Sequence, residues 1–223
     1  MNPNRSQTRR RFLGKIALGA AAFTTPGLFA EELMRTARDA EGPFYPDKLP
    51  LDTDNDLIVI NDGVTPAVGK ITHLSGRILD ASGSPLRNAV VEIWQADATG
   101  VYLHSGSDGK GREDTNFQGF GRFLTSSKGQ YYFRTIRPVP YTGRTPHIHL
   151  IVKKGENRLL TTQLYDRAEK ESNEKDFLFK RIEGATARET LLMDFHAVEN
   201  SKIGEFAVER DIIVGLTPED PEH

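Results

Sequence analysis

The 223-residue chain has no cysteine. No disulfide can staple it, and no thiolate can serve as a metal ligand. It also lacks an excess of charge: 29 Lys and Arg stand against 31 Asp and Glu, for a net charge of −2. Neither a nucleic-acid surface nor an anionic membrane is implied as a partner. Beyond the N-terminal segment no run is long and apolar enough to span a bilayer, and there is no internal repeat and no sign of a second domain. What is present suffices for one domain with a sizeable core.

The N-terminus carries Thr8-Arg9-Arg10-Arg11-Phe12-Leu13, then an Ala/Gly-rich run from Ile16 to Ala22, then Leu28-Phe29-Ala30. Paired arginines, a weakly apolar stretch and a small-residue end resemble a twin-arginine export signal, with cleavage expected after Ala30. The expected location is periplasmic or secreted, with no stable membrane anchor after cleavage. On this reading residues 1–30 are leader, 31–69 a lead-in, 70–216 the folded domain and 217–223 a disordered acidic tail.

Within the domain the pattern is that of strands. Leu74–Leu79 and Ala89–Trp94 flank the turn cluster Asp80-Ala81-Ser82-Gly83-Ser84-Pro85, a hairpin pattern. Phe120–Thr125, Tyr131–Ile136, His147–Val152 and Leu159–Tyr165 follow as strands, with Thr190–Ala197 and Phe206–Val214 as closing strands. Strand–turn–strand units at short intervals predict an all-β fold, a single antiparallel β-sandwich with long loops and little helix. Ser105–Gln118 reads as a long surface loop, and Asp166–Ile182 as a loop with a short helix over one end of the sandwich. Glu31–Ala40 reads as a short helix or a frayed lead-in. His73 is expected at the surface or a strand edge without a partner, and His196 as structural.

The chemistry concentrates between Gly129 and Val152. Pro138 and Pro140 remove backbone donors and end one strand, and after Gly143 the next begins at His147. Side chains alternate along a strand, so His147 and His149 face one way and Ile148 the other. Two imidazoles on one rigid face make half of a metal site. Tyr141 lies six residues before His147, with Arg144 between them. Upstream, Tyr102 and His104 both follow the Asp97-Ala98-Thr99-Gly100 turn, and the residues alone do not choose between them.

This constellation resembles the intradiol ring-cleavage dioxygenases, the catechol and protocatechuate dioxygenase family. The loop tyrosine, the arginine three residues before the first histidine and His147-Ile148-His149 agree in order and inner spacing. Ile93-Trp94-Gln95-Ala96-Asp97 before Tyr102, Thr162-Gln163-Leu164-Tyr165, and Glu41-Gly42-Pro43-Phe44-Tyr45 extend the likeness. It runs from about Glu41 to about Val214 and is dense only from Val91 to Tyr165. The resemblance implies a transthyretin-like sandwich holding one Fe(III) per chain through Tyr102, Tyr141, His147 and His149. It selects Tyr102 over His104, makes Tyr141 the ligand that leaves when a catechol-type substrate binds, and gives Arg144 the charge building on the ring. Tyr45 and Gln163 are implied to wall the substrate pocket.

The ligand types agree with that metal. Phenolate oxygen favours the higher charge of Fe(III), whereas zinc sites use Cys, His and carboxylate. The partners implied are a small catechol-type aromatic and O2, and homo-oligomerisation is left open. There are departures from the family pattern. The loop from Tyr141 to His147 is short, Thr142 stands where an aromatic is expected, and Pro146 directly precedes His147, so substrate identity is not implied. Two other classes fit the same strands: a β-sandwich binding module without catalysis, and a structural domain with a vestigial site.

Overall fold

The structure, a computed structural model, describes residues 32–61 and 63–215. The expected leader and acidic tail lie outside these residues. The fold described is that of the unit that begins at Leu33.

Two five-stranded sheets face one another. In the first, β1 (Ile71–Leu79) pairs with β4 (Gln130–Ile136) on one side and with β9 (Phe206–Glu209) and β10 (Ile212–Ile213) on the other, and β8 (His196–Ala197) extends it beyond β9. The second has the order β3 (Phe120–Leu124), β2 (Val90–Trp94), β5 (His147–Lys154), β6 (Asn157–Asp166), β7 (Leu192–Met193). Three short helices, α1 (Lys170–Lys175), α2 (Phe177–Arg181) and α3 (Ala185–Glu189), fill the connection from β6 to β7. Among the described residues no helix is long and apolar enough to cross a membrane.

The two-sheet, helix-poor sandwich is the expected one, but its sheets are mixed rather than purely antiparallel. β1 runs parallel to both β9 and β10, and β6 parallel to β7. β7 can pair parallel because the helical crossover lies between it and β6, and β9 and β10 reach β1 in its own direction only after the long excursion of the chain through the second sheet. The closing strands are also broken: Thr190–Ala197 yields only β7 and β8, and Phe206–Val214 divides around Arg210-Asp211. Residues 32–40 form no helix. His73 is not alone, because β1 is an interior strand. Its Nδ1 lies 2.7 Å from the Tyr132 hydroxyl and its Nε2 3.1 Å from Glu205.

Alternation along the strands separates two layers of side chains. Leu74, Ile78, Phe133 and Ile136 of the first sheet meet Val91, Ile93, Ile148, Leu150, Val152 and Leu164 of the second in the central core. The opposite face of the second sheet carries Trp94, Phe120 and Ile151, packed with Ala96 and Tyr102 and with the half-buried Phe44, Tyr45 and Tyr141. A half-solvated sheet would leave that face to water. Here the lead-in, the loop after β2 and the helices cover it, so β5 is buried on both faces from His147 to Val152.

Candidate metal centre

The centre lies on this covered outer face of the second sheet. His147 and His149 project from β5 and are 3 % and 1 % exposed. The buried ring of Tyr102 arrives from the loop after β2 and puts its hydroxyl 3.3 Å from His147 Nε2 and 3.1 Å from His149 Nε2. The two Nε2 atoms are 3.2 Å apart. Three donor atoms thus form a nearly equilateral triangle. Ligands about 2.0–2.2 Å from one metal ion stand roughly 3.0–3.4 Å from each other, so the triangle fits a shared ion without rearrangement.

Protonation supports the fit. Burial, reinforced by the Arg144 charge, pushes His147 down to about 3. Burial, then His147 and Arg144, also hold His149 well below the ordinary imidazole value. Both rings are therefore neutral near pH 7 and offer lone pairs. His147 Nδ1 lies 2.6 Å from the Thr145 carbonyl oxygen, to which it donates, leaving Nε2 as the free acceptor. Burial, then the Tyr141 hydroxyl, raise the Tyr102 phenol well above the ordinary tyrosine value. Only a bound cation would make it a phenolate at neutral pH. Among the described residues no three His, Cys, Asp or Glu side chains converge to hold a metal, so an ion here needs a phenol.

Tyr141 and Arg144 sit on a tight turn closed by Arg144 N–H donating to the Tyr141 carbonyl at 2.8 Å. Gly143 takes φ of +75°, a conformation a side chain would strain. The Tyr141 ring meets Tyr102 edge-on at 5.2 Å and His147 at 5.6 Å. Arg144, 8 % exposed, is hooked three ways. Its Nε donates to Asp176 at 2.7 Å, Nη2 to Gln163 at 2.6 Å and Nη1 to the Tyr141 hydroxyl at 3.4 Å. Gln163 in turn donates to the Ala40 carbonyl at 2.7 Å.

The remaining expected residues are distributed unevenly. His104 is half-buried, accepts from Gly106 N–H and meets Phe44 edge-on, away from the donor triangle. Tyr45 turns its ring to Trp94 and Phe120 and donates its hydroxyl to Glu92 at 3.1 Å. Phe44 is the lead-in aromatic against the centre, stacked on Tyr102 at 5.0 Å and edge-on to Tyr141. Gly42, at φ of +74°, comes so close that a Cβ there would lie 3.3 Å from His149 Cε1. A cavity of about 500 Å³ borders Tyr102 and His104, but neither histidine of the pair nor Tyr141 lines it.

Asp176 escaped the sequence reading. It anchors Arg144, accepts the Thr145 N–H at 3.0 Å, and caps α2 by accepting from Leu178 and Phe179. An aspartate just before an apolar run is a helix-start signal, which marks the cap and not the arginine. Asp39 was missed too: it accepts from the Tyr165 hydroxyl at 2.5 Å, behind Gln163.

A β-sandwich whose outer face gathers two tyrosines, a His-x-His pair and a pinned arginine defines the class, and the chain belongs to the intradiol dioxygenase family. The family model described as "Dioxygenase" matches residues 40–214. The protocatechuate 3,4-dioxygenase beta chain of Burkholderia cepacia is 37% identical over 126 residues, 52% of this chain and 53% of that one. The catechol 1,2-dioxygenase of Acinetobacter baylyi is 35% identical over 147 residues, 58% of this chain and 45% of that one. The chain thus spans about half the length of these curated relatives. Among solved structures, the dioxygenase domain of a dioxygenase carbohydrate-binding protein fusion from Streptomyces sp. SirexAA-E is 26% identical. It superposes with a TM-score of 0.62 over 82% of this chain and 100% of that one. An intradiol ring-cleavage dioxygenase from Tetranychus urticae, 19% identical, shares the fold with a TM-score of 0.64 over 85% of this chain and 98% of that one.

Proposed function

We propose that this protein is a ferric intradiol dioxygenase that cleaves a catechol-type aromatic between its two hydroxyl-bearing carbons, inserting both atoms of O2. The observation that carries the reading is the closed donor triangle of Tyr102, His147 and His149, with Tyr141 and Arg144 beside it. Tyr102, His147 and His149 would hold the ion, with Tyr141 as fourth ligand. Once bound, ferric iron supplies Lewis acidity that favours the doubly deprotonated catechol and brings it into reaction with dioxygen.

The chain's own groups do the rest. Tyr141, on a turn rather than a strand, would be the ligand free to swing away, and its oxygen would then accept a proton from an incoming catechol hydroxyl. Arg144 cannot lose its charge and offers a planar fork, so it can stabilise negative charge developing on the ring. Asp176 and Gln163 fix that fork before substrate arrives. Phe44 and Gly42 close the space over Tyr102 and His149 and limit water.

The test is iron content together with oxygen uptake on catechol, protocatechuate and hydroxyquinol. One ferric ion per chain and uptake on at least one of these support the reading. Iron-free protein that takes up none on reconstitution would sink it, and a ligand-binding module would bind catechols without consuming oxygen. We also infer export by the twin-arginine route, on the strength of Arg9-Arg10-Arg11-Phe12-Leu13. Mass spectrometry of exported protein should find a new N-terminus near Glu31, and retention in the cytoplasm with an intact leader would count against it.

A further inference from the structure

The two histidines are held by different means. His147 is fixed through a hydrogen bond to the Thr145 carbonyl, but the buried Nδ1 of His149 has no hydrogen-bond partner among the described residues. A ligating imidazole ordinarily donates its second N–H to a carboxylate, carbonyl or water, which sets the ring's orientation. Something else must orient His149.

Trp94 is placed to do so. It stands directly opposite His149 in the antiparallel β2–β5 ladder, so both side chains leave the same face of the sheet. Their rings are 4.6 Å apart and within 9° of parallel. Trp94 is wholly buried and also meets Tyr45, edge-on at 5.1 Å. Gly42 comes so near the His149 ring that a Cβ there would lie 3.3 Å from Cε1. Among the described residues the indole Nε1 is also without a partner.

We propose that Trp94 is a positioning residue for the metal centre: its flat face takes the place of the missing hydrogen bond and holds His149 Nε2 on the donor triangle. This rests on the reading of His149 as a metal ligand. What matters is the planar surface, which permits one ring orientation, rather than bulk alone, since an aliphatic side chain of similar size fills the space while leaving the imidazole free to rotate.

The experiment is the rate at which the ferric protein surrenders iron to an excess of chelator. Wild type is measured first, then Trp94→Phe and Trp94→Tyr, which keep an aromatic face, and Trp94→Met and Trp94→Leu, which do not. Phe120→Leu, in the same buried cluster but without a ring contact to His149, reports general loosening. The two aliphatic variants should release iron about 10–100-fold faster than wild type, the loss typical of an orienting partner. The aromatic variants and Phe120→Leu should stay close to wild type, with thermal unfolding followed for each. Two variants of each kind keep the comparison readable if one folds poorly. Equal release from aromatic and aliphatic variants, or equally fast release from Phe120→Leu, overturns the role of the face. Wild type that takes up no ferric iron would instead overturn the metal reading itself, and this inference with it.

Discussion

Arg144 illustrates what a single side chain requires to act as a fixed charge. Nine-tenths of it is out of water, so it must be paired, and Asp176, itself 2 % exposed, pairs it. Arg144→Ala should leave iron in place and reduce oxygen uptake by about 10²–10³-fold, the usual loss for one preorganised electrostatic contact. Arg144→Lys should recover only part of the rate, because a point charge cannot engage Asp176 and Gln163 together. Unchanged uptake in Arg144→Ala would remove the residue from the chemistry. At the donor triangle, Tyr102→Phe should abolish stable iron binding while His104→Ala leaves metal content at the wild-type level. The reverse pattern would exchange the two assignments. Spacing alone could not separate these neighbours, since both follow the same turn. The difference lies in which side chain crosses to β5, and that depends on packing against Phe44, a residue distant in sequence.

The elements show why other parts were legible. A strand carries its own address: the period of two along His147–Val152 placed both imidazoles on one face from sequence alone. Direction and partner are not written that way, and a two-residue strand such as β7 or β10 carries no pattern by which to predict a parallel pairing. Covering is equally silent. Nothing within β2 reveals that Glu92 lies beneath Tyr45 and forms ion pairs with Arg122 at 2.8 Å and Lys153 at 2.7 Å. Burial alone would raise this carboxyl, but Lys153 and Arg122 outweigh it and leave the pKa below its ordinary 4.5. A depressed carboxyl contributes stability that is present above its unfolded-state pKa and lost as pH falls through the folded one. Glu92→Gln should therefore cost about 1–3 kcal/mol near neutral pH, less than a wholly buried pair because the two cations remain partly hydrated. The difference from wild type should shrink below pH 4.5. Denaturant titrations at pH 7 and at pH 3.5 or below check this, and a gap that stays constant or widens in acid would contradict it.

At the scale of the whole molecule, the lead-in is a strap between the sheets. Thr36 N–H donates to the Ile213 carbonyl of the first sheet, and Asp39 N–H to the Thr161 carbonyl of the second. The Thr162 hydroxyl donates to the Ala37 carbonyl, and Gln163 to that of Ala40. The strap also carries Gly42 and Phe44 onto the centre. Deleting residues 1–30 should thus leave unfolding temperature and iron retention unchanged. Deletion through Tyr45 should lower the unfolding temperature markedly, since the four bonds just named, at roughly 1 kcal/mol each, are only part of those lost, and should open the iron to chelators. Calorimetry and chelator kinetics on the two truncations decide the matter, and equal behaviour would show that the strap is dispensable.

The position of the centre on the outside of a sheet has a further consequence. In β5 the odd-numbered His147 and His149 turn to the donor triangle while the even-numbered Ile148 and Leu150 belong to the oily interior. Chemistry and cohesion are thus interleaved residue by residue and yet face opposite compartments. Loops over the outer compartment can be lengthened, shortened or re-lettered without asking the interior to repack. The strand itself enjoys no such freedom. Inserting or deleting one residue before His147 without compensation would exchange the two compartments' side chains at a stroke. Diversification of such a protein is therefore confined to its lid, and its ladder must be inherited in frame.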